Sequence, residues 1–128
     1  MPMDTLERWH AYVEGNDPQA LDALIAEECV FHSPAVHTPQ AGKAITIKYL
    51  TAALAVLKQP DFRYVGEWRA DRSAVLEFQL SIDGIQIDGV DIITWGADGR
   101  IIAFKVMMRP LKALNTILPL MGARLGAA

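Results

Sequence analysis

The chain has one cysteine, Cys29, in 128 residues. A single thiol excludes an internal disulfide and the zinc motifs built from several cysteines. It fits a reducing compartment, and a cytoplasmic protein is expected. Charge of one sign is also lacking: 12 Lys and Arg face 15 Asp and Glu, for a net charge of −3. The basic residues are scattered, so the electrostatic footprint of a nucleic-acid binder is missing. No apolar run approaches the roughly 20 residues that span a bilayer, and no membrane association is expected. Met1 leads within a few residues into Asp4-Thr5-Leu6-Glu7, without a basic segment and apolar core before it, so a signal peptide is not expected. There is no internal repeat, low-complexity tract or linker. Gly-rich phosphate loops, a nucleophile elbow and a cysteine-containing dyad are absent. The three histidines, His10, His32 and His37, lack the spacing of a zinc motif. No metal or organic cofactor is therefore implied.

What is present suits one globular domain over residues 1–128, because 52% of residues are hydrophobic and only 21% charged. Asp4 followed by Glu7 has the form of a helix N-terminal capping box, with Leu6, Trp9 and Val13 on one face. Gly15-Asn16 ends that helix. Asp17-Pro18 starts another, in which Leu21, Leu24 and Ile25 form the buried side. Cys29 to Ser33 reads as a short strand broken by Ser33-Pro34. From Lys43 a helical stripe runs through Ile47, Leu50, Leu54 and Leu57. Strands follow over Phe62–Arg69 and Ala74–Ile82. Asp83-Gly84 and Ala97-Asp98-Gly99-Arg100 are hairpin turns. Ile102, Phe104, Val106 and Met108 form the apolar face of the last strand. Leu111, Leu114, Leu118, Met121 and Leu125 repeat at helical spacing, although Pro119 should kink or break that helix. The final Gly126-Ala127-Ala128 has little to anchor it and should fray. Helices followed by a strand meander indicate an α+β fold, with helices packed on one face of a mostly antiparallel sheet.

One strand carries the main chemical signal. In Ile85–Trp95 the odd positions are Ile85, Ile87, Gly89, Asp91, Ile93 and Trp95, all apolar or glycine except Asp91. Alternate strand residues share a face, so the carboxylate points into an apolar interior unless a bulge at Gly89 reverses the parity. A buried carboxyl is costly as an anion and becomes a candidate acid/base group.

The segments Trp9–Leu21 (WHAYVEGNDPQAL), Val30–Gly42 (VFHSPAVHTPQAG) and Gly89–Phe104 (GVDIITWGADGRIIAF) resemble, in order and spacing, the NTF2-like superfamily and its SnoaL-like group. The resemblance covers nearly the whole chain. It implies a cone-shaped α+β barrel with an apolar pocket between helices and sheet, dimerisation through the sheet, and functions that range from isomerases, cyclases, dehydratases and epoxide hydrolases to proteins that only bind. Fold alone does not choose among these. The ketosteroid isomerases of the superfamily have a basic aspartate where this chain has Ser33, and an oxyanion-binding tyrosine where it has Trp9. Their protonated strand aspartic acid matches Asp91. With one group of three retained, steroid isomerisation by that mechanism is not expected. Limonene-type epoxide hydrolysis is also disfavoured, because Gly89-Val90-Asp91 lacks the arginine of the Arg-x-Asp unit and Ile101–Arg109 holds no acid. Aldol-type polyketide cyclases are similar in using a strand aspartate as acid/base.

The catalytic candidates are therefore Asp91 and His32, the latter against the plainer reading that it ties down its turn. Trp9, Tyr12 and Tyr49 on the helices, with Ser33 at the turn, are candidate walls of the pocket. So are Phe78, Ile93, Phe104, Val106 and Met108 on the strands. The expected partner is a small apolar or aromatic molecule. Val90, Ile92 and Met107 on the outer face favour a homodimer through the sheet. The alternative to an enzyme is a non-catalytic ligand-binding or dimerisation module, in which core side chains fill the pocket.

Overall fold

The computed structural model describes residues 4–126. Helix α1, Thr5–Gly15, is capped by Asp4, whose carboxylate accepts from the Glu7 N–H at 2.8 Å. It buries Leu6, Trp9, Tyr12 and Val13, and it ends at Asn16 in the left-handed region. Helix α2, Pro18–Leu24, is capped by Asp17 and has proline in its first turn, where a missing N–H costs nothing.

Strand β1, Ile25–His32, begins earlier than the sequence pattern indicates. Ile25 does not close the helix; it pairs with Ile101 in the sheet. An irregularity between Ile25 and Val30 leaves Glu27 and Glu28 exposed and hides the strand's alternation. The two-residue strand β2, Gln40–Ala41, precedes α3, Lys43–Leu57, which packs against β1.

The meander comprises β3 (Arg63–Arg69), β4 (Ser73–Ile82), β5 (Ile85–Trp95) and β6 (Ile101–Arg109). The six strands form one sheet in the order β2-β1-β6-β5-β4-β3. Only the β1–β6 pair is parallel. The β4–β5 turn uses Asp83 at φ 51° and Gly84 at φ 77°, a conformation that favours these two residue types. Together with the helices this is the NTF2-like α+β cone.

β4 and β5 pair without interruption from Ser73↔Thr94 to Ile82↔Ile85. Parity is therefore preserved: Leu76, Phe78, Leu80 and Ile82 face inward, opposite Asp91, Gly89, Ile87 and Ile85. Elsewhere bulges shift the pattern. Between Thr94↔Ala103 and Trp95↔Ile101 the extra residue is Ile102, so Ile101 rather than Ile102 is buried beside Phe104 and Val106. On β3 the extra residue is Val65, between Tyr64↔Phe78 and Gly66↔Glu77. It leaves Tyr64 facing inward and Trp68 outward, 58% exposed.

Helix α4, Leu111–Gly126, packs on α3, β6 and β5. It does not break at Pro119. The carbonyl deprived of its partner is that of Asn115, an exposed residue, where water can replace the lost bond. The buried face is Ala113 and Ile117, rotated from the leucine stripe, and Leu111 is 72% exposed. Gly126 is still helical; residues 127–128, also expected to fray, lie outside the described residues.

Candidate functional site

Asp91 is 6% exposed on the inner face of β5. Its Oδ2 accepts from the Tyr64 hydroxyl at 3.0 Å, and the Tyr64 oxygen accepts from the indole N–H of Trp9 at 3.0 Å. Three elements therefore converge on one polar chain, α1 through Trp9, β3 through Tyr64 and β5 through Asp91. Its surroundings are apolar. The Trp9 ring lies 4.8 Å from Phe104, and Phe62 and Phe78 stand edge-on to Tyr64 at 5.3 and 6.4 Å.

These surroundings set the electrostatics. Burial pushes the Asp91 carboxyl up to about 7, and the Tyr64 hydrogen bond only partly opposes that shift. Burial, followed by the negative charge of Asp91, holds the Tyr64 phenol well above its ordinary value. Near neutral pH the pair thus supplies one group that exchanges a proton readily and one that keeps its own.

Gly89 gives the Phe78 ring beside the acid its room. It lies opposite Phe78 on the same inner face as Asp91. A Cβ there would collide with the Phe78 ring and lie 2.9 Å from the Met107 carbonyl oxygen.

A narrow crevice reaches Asp91, between α3 and the inner faces of β3–β6. It contains a cavity of about 40 Å³ walled by Trp9, Leu50, Leu54, Phe62, Phe78 and Phe104, among others. This accommodates a few waters at most. A ring-sized ligand requires the walls to part, and Ala53, Leu54 and Phe62 are only half-buried there. Larger hollows of about 410 and 380 Å³ lie elsewhere on the surface. Volume alone does not make a site, and neither hollow contains a buried acid held in a polar chain.

Of the residues singled out from sequence, Asp91, Trp9, Phe78, Phe104 and Val106 meet at this crevice. Ile93 is buried farther along β5, opposite Phe104. Tyr12 is buried behind Trp9, with ring centroids 5.4 Å apart. Tyr49 stacks on Phe31 at 5.1 Å and does not line the crevice.

His32, Ser33 and Met108 line a different hollow. The two catalytic candidates from sequence, His32 and Asp91, therefore lie at different hollows. Phe31 pairs with Phe104 and takes the inward position on β1, which turns the next residue, His32, to the opposite face beside Lys105. On the outer face Glu77 neighbours Asp88, whose hydrogen bond raises the Glu77 pKa, while Arg109 approaches Asp88 at 3.6 Å.

The residue that sequence reasoning missed is Tyr64. Its two-residue spacing from Phe62 is an inward-facing signal, but the bulge at Val65 breaks the alternation that would have confirmed it. Among the described residues, no cluster of three or more His, Cys, Asp or Glu side chains has a geometry to hold a metal ion, and no helix is long and apolar enough to cross a membrane.

Fold and site together define an NTF2-like cone with a buried acid at the base of an apolar crevice. The SnoaL-like domain profile matches residues 6–104, and the chain belongs to this SnoaL-like family. It is similar to a steroid delta-isomerase from Pseudomonas aeruginosa, with 35% identity and a TM-score of 0.89 over 96% of this chain and 90% of that one. It is also similar to an uncharacterised protein with a cystatin-like fold from Silicibacter pomeroyi DSS-3, with 30% identity and a TM-score of 0.85 over 94% and 84% of the two chains. An NTF2-like protein of unknown function from Mesorhizobium loti shares the fold at 24% identity and a TM-score of 0.69, over 86% and 98%. A sequence comparison with curated proteins gives no match.

Proposed function

We propose that the crevice binds a small apolar or aromatic molecule and that Asp91 performs acid/base chemistry on it, of isomerase, cyclase or lyase type, without a metal or organic cofactor. The observation that carries this reading is the Trp9–Tyr64–Asp91 chain closed within apolar walls. A carboxyl with a pKa of about 7 holds both protonation states near neutral pH, as a group that gives and takes protons must. In its protonated form it donates to a ligand carbonyl or enolate oxygen, and in its ionised form it accepts a proton from carbon or oxygen. Tyr64 orients the carboxyl, and Trp9 orients Tyr64. The likeness to a protein named as a steroid delta-isomerase makes double-bond isomerisation the first reaction to assay. With Ser33 on the surface turn, proton transfer there rests on Asp91 alone, oriented by Tyr64, rather than on a second carboxylate.

The test is fluorescence titration with 2-naphthol, a flat phenol that offers an oxygen to Asp91. The expected result is saturable binding that weakens about tenfold in Asp91→Ala, the scale of a hydrogen bond to a charged or acidic partner. No saturable binding, or equal binding by the variant, contradicts the reading.

The alternative is a non-catalytic ligand-binding or dimerisation module, and the narrowness of the cavity favours it. In either case the chain is proposed to form a homodimer through the outer sheet face in the cytoplasm. Trp68 and Met107, 58% and 50% exposed, lie on that face with half-buried Val90 and Ile92 and support such a contact. A cytoplasmic setting accords with Cys29, buried and unpaired.

A further inference from the structure

We propose that the hollow where β1 ends beside β6 is a second binding site, for a small organic carboxylate with a short apolar body. β1 stops at His32, opposite Lys105, whereas β6 continues to Arg109. On that side the last residues of β6 have no neighbouring strand. The chain turns away at Ser33, whose Oγ accepts from the Ala35 N–H at 3.0 Å, and the space left beside β6 is a hollow of about 380 Å³. That volume lies within the usual range for small-molecule sites, roughly 300–1,000 Å³.

Its charge is one-sided. His32 and Lys105 are register partners in a parallel pair, so they stand side by side on one face, and His37 lines the same hollow. Among the described residues, none of these three has a carboxylate within ion-pairing distance. Lys105 is a permanent cation at the rim of the hollow, and the ring N–H groups of the two imidazoles can donate hydrogen bonds to an anion beside it. The remaining wall is the Ser33 hydroxyl and a set of apolar side chains that includes Pro34, Val36, Met108 and Leu114. One permanent cation and an apolar wall suit a singly charged carboxylate with a short hydrocarbon body. The site shares only Val106 with the Asp91 crevice, none of its charged or imidazole groups lines that crevice, and it does not depend on what the crevice does.

The experiment is a titration of the full chain with hexanoate at neutral pH, followed by calorimetry and by the histidine ring-proton resonances. The expected result is saturable binding that moves the His32 and His37 signals and leaves His10 in place, since His10 is held by Glu67 at 3.0 Å on the far side of the fold. K105Q should weaken binding about tenfold, and hexanol should bind at least as weakly, because a charge-assisted hydrogen bond is lost in each case. Asp91→Asn should leave hexanoate affinity unchanged. The absence of a saturable shift, equal affinity for hexanol, or loss of binding in Asp91→Asn would overturn the proposal; the last result would put the anion in the Asp91 crevice.

Discussion

Tyr64 reaches Asp91 across an entire strand. The two residues lie on β3 and β5, on either side of β4, and their 3.0 Å hydrogen bond passes over the inner face between Phe78 and Leu76. Neighbouring strands lie about 4.8 Å apart, so a span of two strands needs a side chain as long as tyrosine. The bond couples the edge of the meander to its centre and holds the carboxyl in an apolar setting.

The first prediction concerns stability against pH. The folded Asp91 carboxyl, at about 7, binds its proton more tightly than the unfolded chain does at about 4. Its stabilising contribution is complete below the unfolded pKa, and it is lost as pH rises through the folded value. The total loss is ~4 kcal/mol, at 1.36 kcal/mol per pKa unit. Asp91→Asn removes this dependence. Thermal unfolding should show the wild type losing ~3 kcal/mol between about pH 5 and 8 that the variant keeps. Parallel profiles for the two proteins would contradict it.

Tyr64→Phe removes the hydroxyl at the centre of the chain. Asp91 then loses the one contact that lowers its pKa, so its pKa should rise further. The Trp9 indole N–H is left without its partner, at a cost of about 1–3 kcal/mol. Chemical denaturation measures the cost, and a carboxyl titration measures the shift.

Gly89→Ala should destabilise the fold by about 1–3 kcal/mol, because the added methyl meets the Phe78 ring and the Met107 carbonyl. The ring can be shortened and the carbonyl cannot. Gly89→Ala combined with Phe78→Leu should therefore cost less than the sum of the two single changes, a non-additivity expected for residues in contact.

The proposed dimer is tested on the outer face. Met107→Glu places a charge beside Val90 on the outer face and should shift sedimentation from dimer to monomer while leaving Asp91, on the inner face, unaffected. A wild-type chain that sediments as a monomer at micromolar concentration would count against a dimer.

How well the sequence could be read depended on whether pairing was regular. The inward direction of Asp91 was legible because β4 and β5 run in register without a bulge, so alternation in the amino acids is alternation in space. Tyr64 was overlooked and Ile102 misread where a bulge inserts one residue and reverses the pattern. The direction of His32 depended on a parallel pairing with β6, more than seventy residues away, which no local spacing reveals. Pro119 was overvalued as a breaker because its cost depends on whether the Asn115 carbonyl is open to water, a tertiary property. The resemblance to the SnoaL-like family pointed to the cone and to Asp91, while the hydroxyl that holds the acid comes from a strand whose motif carried no such signal.

The most direct measurement is the pKa of Asp91 in the folded protein, from the carbon chemical shift of its carboxyl in selectively labelled material across about pH 3–9. A midpoint near 7, moving upward in Tyr64→Phe, is the predicted result. A midpoint near the ordinary aspartate value of about 4 would mean that the carboxyl is solvated, and would contradict a buried acid at the base of the crevice.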